Sequence, residues 1–535
     1  MIKEPVNPKQ LELVSDKPPT QRVGQWRRVL NLLTSPALAV LVFFLSLYFL
    51  TGTYFTKGVS DGEVMAQTAV ALAERHSVEL AANPGLPQIV PGKNGHYFSK
   101  YGLGQPLLAA GLYDLGQIFT RRLMPKADAV PVGHFFMMLL PVIATALTVW
   151  LVYLWGKQLY NSVGIGLGLA LLYGLGTSAW PYTKVFFSEA LFTFGTFGAA
   201  FALWQARRIL TSRTRYAWFI LAGFLLGYSL LTKVSGLILL PIYLWYTVYG
   251  KPFTVNSLQS KGTGSSSRFG GWWRNFGGRV WDGGLGPLFL GLLPGLAMIL
   301  LHNYLRFGSP FNNGYDQEQF STPLWQGLGG LLFSPGKSLF LYSPVLLALP
   351  FAVGRFWRRA RAEASLFGLI SGATLLYYSL WWAWEGGWSW GPRFLVPLLP
   401  MLVLPLGALL AQPAARKRGW LILLFGLLLP LGIVVQMLGV ALDANTYMIA
   451  LANNPALPAD YYIWNFSASP LLEHWSHLWQ APYNQIRGLT LDQLGFRPAI
   501  GFTISLLVTF LLIISGISLV VSYLKTRRAL NHTET

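Results

Sequence analysis

The chain has 535 residues, 53% of them hydrophobic and only 11% charged, with 21 Trp, 34 Phe and 24 Tyr. An average soluble domain carries about 25% charged residues, so this composition, with its recurrent apolar runs, excludes an ordinary soluble enzyme, and the ample apolar surface excludes disorder. There is no cysteine, which removes disulfides, thiolate nucleophiles and Cys-ligated metal centres. The net charge of +20 raises nucleic acid as a partner until its distribution is considered.

Residues 1–34 are polar and proline-rich, too long for the n-region of a signal peptide, and read as a cytoplasmic tail before a retained anchor. A helix needs about 20 mostly apolar residues to cross the hydrocarbon core. Twelve stretches qualify: 35–55, 133–155, 163–181, 188–206, 217–232, 234–249, 285–304, 338–353, 364–382, 394–411, 419–441 and 499–522. Lys233 stands at the join of the fifth and sixth. The expected fold is an all-α polytopic membrane protein.

Lys and Arg mark the cytoplasmic side. With both termini inside, the whole excess of +20 falls on the inner face, and the outer face is neutral. Insertion topology therefore accounts for the charge without nucleic acid. The Gly/Ser-rich stretch Lys261–Arg268 lacks a phosphate loop's spacing and preceding strand, and reads as a cytoplasmic linker. The outer segments are 56–132, 305–337, 383–393 and 442–498, with a short one at 182–187; residues 523–535 form an inner tail. The acidic groups cluster at the outer ends of helices, whereas pores and transporters keep their ionisable groups inside the spans.

In the first outer segment, Ser60-Asp61-Gly62-Glu63 precedes apolar residues at helical spacing, which predicts a helix lying in the interface plane. Ser60 and Glu63 fit a capping box, and Asp61 in the first turn complements the helix dipole. The alternative reading makes Asp61 a carboxylate at the mouth of a membrane cavity, ionised at neutral pH and able to accept a proton from a hydroxyl. Further on, Tyr97-Phe98-Ser99-Lys100-Tyr101-Gly102-Leu103-Gly104-Gln105-Pro106 leads into a second helix. Lys100 either snorkels toward headgroups or offers a point charge to a phosphate.

Asp61-Gly-Glu63 after the first span, the run from Tyr97 to Pro106, Phe187-Ser188-Glu189-Ala190-Leu191, Asn303-Tyr304-Leu305-Arg306-Phe307-Gly308-Ser309-Pro310, Ser334-Pro335-Gly336-Lys337 and Trp388-Ser389-Trp390-Gly391-Pro392-Arg393 occur in this order. This ordered set resembles the polyprenyl-phosphate-sugar-dependent glycosyltransferases of the GT-C class, which include protein O-mannosyltransferases and the lipid A aminoarabinose transferase. It covers roughly residues 30 to 440. Many relatives have adjacent Asp-Glu where this chain has Asp-Gly-Glu, which puts the weight on Asp61.

The resemblance implies a transmembrane catalytic module over 35–441, an outer subdomain over 442–498 and a last span at 499–522. It implies inverting transfer of a sugar from a polyprenyl-phosphate donor to a hydroxyl on a lipid, glycan or protein, at the outer face of a bacterial plasma membrane. Such chemistry needs a base for the acceptor and positive charge on the departing phosphate. Asp61 is the expected base, with Glu189 next and Glu63 as a further catalytic candidate. Arg393, Lys100 and Lys337 are the expected phosphate ligands, because arginine's planar fork and a lysine point charge both suit phosphate oxygens.

Tyr101, Tyr315, Trp388 and Trp390 are the expected aromatic contacts. Trp381, Trp382, Trp384, Trp388 and Trp390 are dense for an aromatic belt, and indole faces suit sugar rings and isoprenoid chains. The loop 310–323, with Tyr315, Asp316 and Glu318, is the expected lid. No cofactor is required. A divalent cation at Asp61 and Glu63 occurs in other branches of the class, and nothing in these residues demands one. In 442–498, Asp443, Asp460, Glu473, His474 and His477 offer a weak metal signal, and Asn465-Phe466-Ser467 is an unspecific sequon. The rival readings are a 12-span secondary transporter, against which stand the long outer loops and the lack of an internal repeat, and a ligase acting on lipid-linked glycans.

Overall fold

A computed structural model describes residues 35–52, 61–123, 129–209, 211–249, 283–315, 318–442, 444–458, 460–478 and 498–531. The N-terminal tail, residues 532–535 of the inner tail, the linker at 261–268, the Ser60 half of the capping box, Asp316 and Asp443 lie outside the described residues, whereas 523–531 continue the last helix. The described residues are mostly helical, and each of the twelve apolar stretches contains helix. Among the described residues six helices are long and apolar enough to cross a membrane: Val130–Tyr160, Arg213–Thr232, Leu285–Phe307, Arg393–Leu410, Ala414–Ala441 and Thr503–Leu524. Shorter apolar helices occupy Pro36–Leu50, Val163–Gly176, Val234–Val248 and Leu324–Phe333. The last of these was not expected. Leu324, Trp325 and Phe333 leave its outward face bare.

Close approach of backbones sets the bundle. The Ser212–Thr232 and Leu285–Phe307 helices cross on glycine. A Cβ on Gly223 would stand 2.0 Å from the Leu288 carbonyl oxygen, and one on Gly291 would stand 2.0 Å from that of Ile220. Helices in lipid gain no hydrophobic drive toward one another, so this contact between small residues is what holds them. Elsewhere large rings fill the interior. Trp155 packs against Phe197, Phe201, Trp204 and Phe367 at centroid distances of 5.2, 5.7, 5.5 and 5.3 Å.

The first loop departs from expectation in two ways. The Asp61–Arg75 helix exists, but Gly62, Val64, Met65, Ala66, Thr68, Ala69 and Ala71 are buried, so it is packed into the protein and not laid on a surface. Between it and the Gly104–Leu123 helix runs a small antiparallel sheet: β1 (Glu79–Leu80), β2 (Ile89–Pro91) and β3 (Tyr97–Ser99), in the order β1-β3-β2. Phe98 faces Glu79 on one side and Val90 on the other. Strands of two or three residues leave no periodicity for a sequence reading to detect.

The sheet's exit is stapled from a distance. Arg306, buried in the last turn of the Leu285–Phe307 helix, donates to the backbone carbonyls of Ser99 and Tyr101 and to Asn303 Oδ1. This gives the Asn303-Tyr304-Leu305-Arg306 motif a physical role, since it fixes the backbone on both sides of Lys100. Gly102 continues the same fit, because a Cβ there would stand 2.2 Å from the Leu231 carbonyl oxygen. An Arg306→Met variant is expected to lose stability by about 1–3 kcal/mol for each buried acceptor it orphans. A fall in thermal midpoint in detergent would report this, and an unchanged midpoint would contradict the staple.

Candidate active site

Several helix ends meet at one end of the bundle. Asp61 opens the Asp61–Arg75 helix, Glu189 opens the Glu189–Arg208 helix, and Arg393 opens the Arg393–Leu398 turn. Lys233 follows directly on the Ser212–Thr232 helix. Gly62 lets the first of these seat itself, because a Cβ there would stand 3.1 Å from the Phe186 carbonyl oxygen. Gln105, buried in the next helix, donates to that same carbonyl at 2.8 Å. The Asp-Gly-Glu variation thus has a packing reason: glycine brings the Asp61 turn up against the Phe186–Glu189 turn.

A cavity of about 410 Å³ opens between these ends, and Asp61, Lys100, Tyr101, Glu189, Tyr315 and Arg393 all line it. Lys233 and Glu318 complete its charged wall, and Phe187, Phe320, Tyr377, Tyr378, Trp381 and Phe394 supply aromatic faces. The central contact joins Arg393 Nη2 to Asp61 Oδ2 at 2.6 Å. Glu189 Oε1 stands 3.9 Å from Arg393 Nε and accepts from Lys233 Nζ at 2.8 Å. The guanidinium lies over the rings of Phe187 and Phe394, 4.9 and 4.7 Å from their centroids. This setting suits a planar cation better than an ammonium.

Asp61 is held on three sides. Gln88 Nε2 donates to Oδ1 at 3.2 Å, and Tyr101 adds a hydrogen bond. Burial alone would raise the Asp61 carboxyl, but Arg393, Tyr101 and Lys100 outweigh it and hold the group below the ordinary aspartate range. The Tyr101 phenol moves up, through burial first and then the Asp61 charge, so it stays a donor. Lys100 Nζ sits 2.7 Å from Glu318 Oε1 and 5.5 Å from the centre of the Tyr315 ring.

Four expected site residues stand elsewhere. Glu63 is two residues beyond Asp61, hence about 200° around the helix, and accepts from Gln67 Nε2 at 2.8 Å instead of facing the cavity. Lys337 is fully buried and gives its protons to Gly387 O, Ser389 O and Ser389 Oγ at 2.7, 2.9 and 3.2 Å. Burial pushes its ammonium down to about 7, with Glu385 opposing and Arg393 reinforcing. Its role is to position the tryptophan loop that ends in Arg393. Trp390 is buried in that loop against Tyr342 and His474, at 5.1 and 4.8 Å, and Trp388 is outside the cavity lining.

The segment after 442 buttresses this loop from behind. The Gly336 amide donates to the Ile463 carbonyl at 3.1 Å, and Ser469 Oγ donates to the Pro335 carbonyl at 2.8 Å. His474 is buried under Trp390, whereas His477 is exposed and pairs with Glu473 on its own helix. Among the described residues no three His, Asp or Glu side chains gather as metal ligands. Asn465 accepts from the Ser467 amide and hydroxyl, so the sequon forms a local turn cap.

The sequence reading missed Lys233 and Tyr378 as cavity residues and Gln88 as a partner of Asp61. Lys233 left a trace, as an ionisable residue between two apolar runs. Gln88 left none, since it reaches Asp61 only through the unforeseen sheet.

The arrangement is that of a multi-pass helical membrane protein with a charged, aromatic-walled cavity at one end of its helices. Residues 93–261 match the family model for dolichyl-phosphate-mannose-protein mannosyltransferase, about a third of the chain. The chain is thus similar to the polyprenyl-phosphate-sugar-dependent glycosyltransferases of the GT-C class. Among solved structures it resembles ArnT from Cupriavidus metallidurans bound to undecaprenyl phosphate, with 13% identity over 93% of this chain and 78% of that one, at a TM-score of 0.46. It also resembles the archaeal oligosaccharyltransferase AglB from Archaeoglobus fulgidus in complex with an inhibitory peptide and a dolichol-phosphate, with 14% identity over 80% of this chain and 59% of that one, at a TM-score of 0.46. No curated protein matches the chain by sequence.

Proposed function

We propose that the cavity transfers a sugar, with inversion, from a polyprenyl-phosphate donor to a hydroxyl acceptor at the outer face of a bacterial plasma membrane. The observation that carries this reading is the Asp61–Arg393 contact at 2.6 Å inside an aromatic-walled cavity. It sets a base and a phosphate-binding cation side by side. Asp61 takes the acceptor's proton as the hydroxyl oxygen bonds to the anomeric carbon. The bond from that carbon to the phosphate oxygen breaks, and the departing phosphate carries its charge to Arg393 and Lys100. Phosphate leaves readily, so no general acid is required. Glu189 orients the sugar or acceptor while anchored by Lys233. All cavity-lining residues fall within 35–441, which supports placing the catalytic module there and a buttressing subdomain at 442–498.

The test is transfer in liposomes containing the purified protein, a polyprenyl-phosphate-linked sugar and mixed lipid, glycan and peptide acceptors, with glycolipids read by mass spectrometry. A product that requires the protein supports the reading. Solute counterflow indifferent to the lipid-linked sugar would overturn it in favour of transport. Activity confined to a pyrophosphate-linked donor would favour a ligase.

A further inference from the structure

The cavity's charges are balanced. Asp61, Glu189 and Glu318 face Arg393, Lys233 and Lys100 among its lining residues. The pairs stand at 2.6, 2.8 and 2.7 Å. Each of these cations already holds a carboxylate, so an arriving anion has to displace one.

Two of the three carboxylates are poorly placed to leave. Asp61 and Glu189 are the first residues of helices of 15 and 20 residues, and the Glu189 side chain is only 3% exposed. Glu318 lies in irregular chain between the helices Leu285–Phe307 and Leu324–Phe333.

Three donors converge on Glu318. Lys100 Nζ donates to Oε1 at 2.7 Å, while Trp381 Nε1 and Trp382 Nε1 donate to Oε2 at 3.0 and 2.6 Å. These donors and the burial-opposing charge of Lys100 hold the carboxyl below the ordinary glutamate range. Indole N–H and ammonium groups donate and never accept, so the cradle suits any compact anion with two oxygens in reach. A phosphodiester is such an anion. It carries the same single charge as the carboxylate, so exchange keeps the cavity neutral. Trp382 is 53% exposed at the edge of the cradle, which gives the displaced carboxylate water to enter.

We propose that Glu318 is an internal placeholder for the donor's phosphate: its carboxylate fills a cradle of Lys100, Trp381 and Trp382 that the phosphodiester of the lipid-linked donor takes over on binding. The proposal rests on the reading that this cavity takes a polyprenyl-phosphate donor, and it adds two indole donors to the phosphate's ligands. It also makes Glu318 a competitor for the donor's site and not a contact to substrate.

The experiment is calorimetric titration of an undecaprenyl-phosphate-linked sugar, a phosphodiester, in detergent micelles into wild type, Glu318→Gln, Trp382→Phe and the double variant, each checked for an unchanged thermal midpoint. A neutral amide competes less well for charge-assisted donors, so Glu318→Gln is expected to bind about tenfold more tightly than wild type. Trp382→Phe is expected to bind several-fold more weakly, and the double variant close to wild type. Glu318→Gln binding no more tightly than wild type, or tightening that persists in full without Trp382, would overturn the placeholder and leave the donor reading standing. No binding by wild type or any variant would overturn both.

Discussion

Asp61→Asn is expected to lower sugar transfer by about 10²- to 10⁴-fold, the usual worth of a positioned general base, while the purified protein stays folded. The fold should survive because asparagine keeps the shape, and Arg393 retains Glu189 at 3.9 Å. Single-turnover transfer and a thermal melt on the same preparation separate the two effects. Full activity in a folded variant would remove the base.

The same residue predicts a split between two pH profiles. In the free protein Arg393, Tyr101 and Lys100 overcome burial and hold the Asp61 carboxyl below its ordinary value. The acid limb of kcat/KM is therefore expected below about pH 3.9. When a phosphate draws on Arg393 and Lys100, two of these restraints weaken and burial remains. The carboxyl then rises and becomes a better proton acceptor, so the acid limb of kcat is expected at higher pH than that of kcat/KM. Coincident limbs would show that the donor leaves the Asp61–Arg393 contact intact.

The helices were legible because crossing a membrane demands long apolar runs, and such runs carry their own signal. The site was legible only in part. Asp61, Glu189, Lys100, Tyr101, Tyr315 and Arg393 do share one cavity. Asp61, Glu189 and Arg393 open helical segments, where local sequence and spatial position are tightly linked. Glu63 was misplaced although the needed arithmetic was available, since residues two apart on a helix cannot share a face. Lys337 is a different case. A lysine in a Gly/Pro turn looks the same in sequence whether it greets a phosphate or caps two carbonyls, and only the fold brings Gly387 and Ser389 to its ammonium. Lys233 and Glu189, 44 positions apart, pair only because two helices return to the same end of the bundle.

Arg393 should combine the largest losses of stability and activity. Its guanidinium neutralises Asp61 and leans on Glu189, and both side chains are at most 16% exposed. Removing one partner of a buried pair strands the other charge, at a cost of about 3–5 kcal/mol. Residual exposure at Asp61 puts Arg393→Met near the lower end, about 3 kcal/mol. Transfer should fall at least about 10²-fold, the scale of losing one preorganised charge at a leaving group. Arg393→Lys should recover most of the stability and only part of the rate, because an ammonium cannot lie flat between Phe187 and Phe394 or grip two oxygens at once. The decisive comparison is the double variant Asp61→Asn/Arg393→Met. If stranded charge causes the instability, removing it should restore about 1–3 kcal/mol relative to the sum of the single changes, while transfer remains lost. A double variant as unstable as that sum would mean that Arg393 stabilises the fold through its aromatic neighbours alone, and its contact with Asp61 would then serve chemistry without serving the fold.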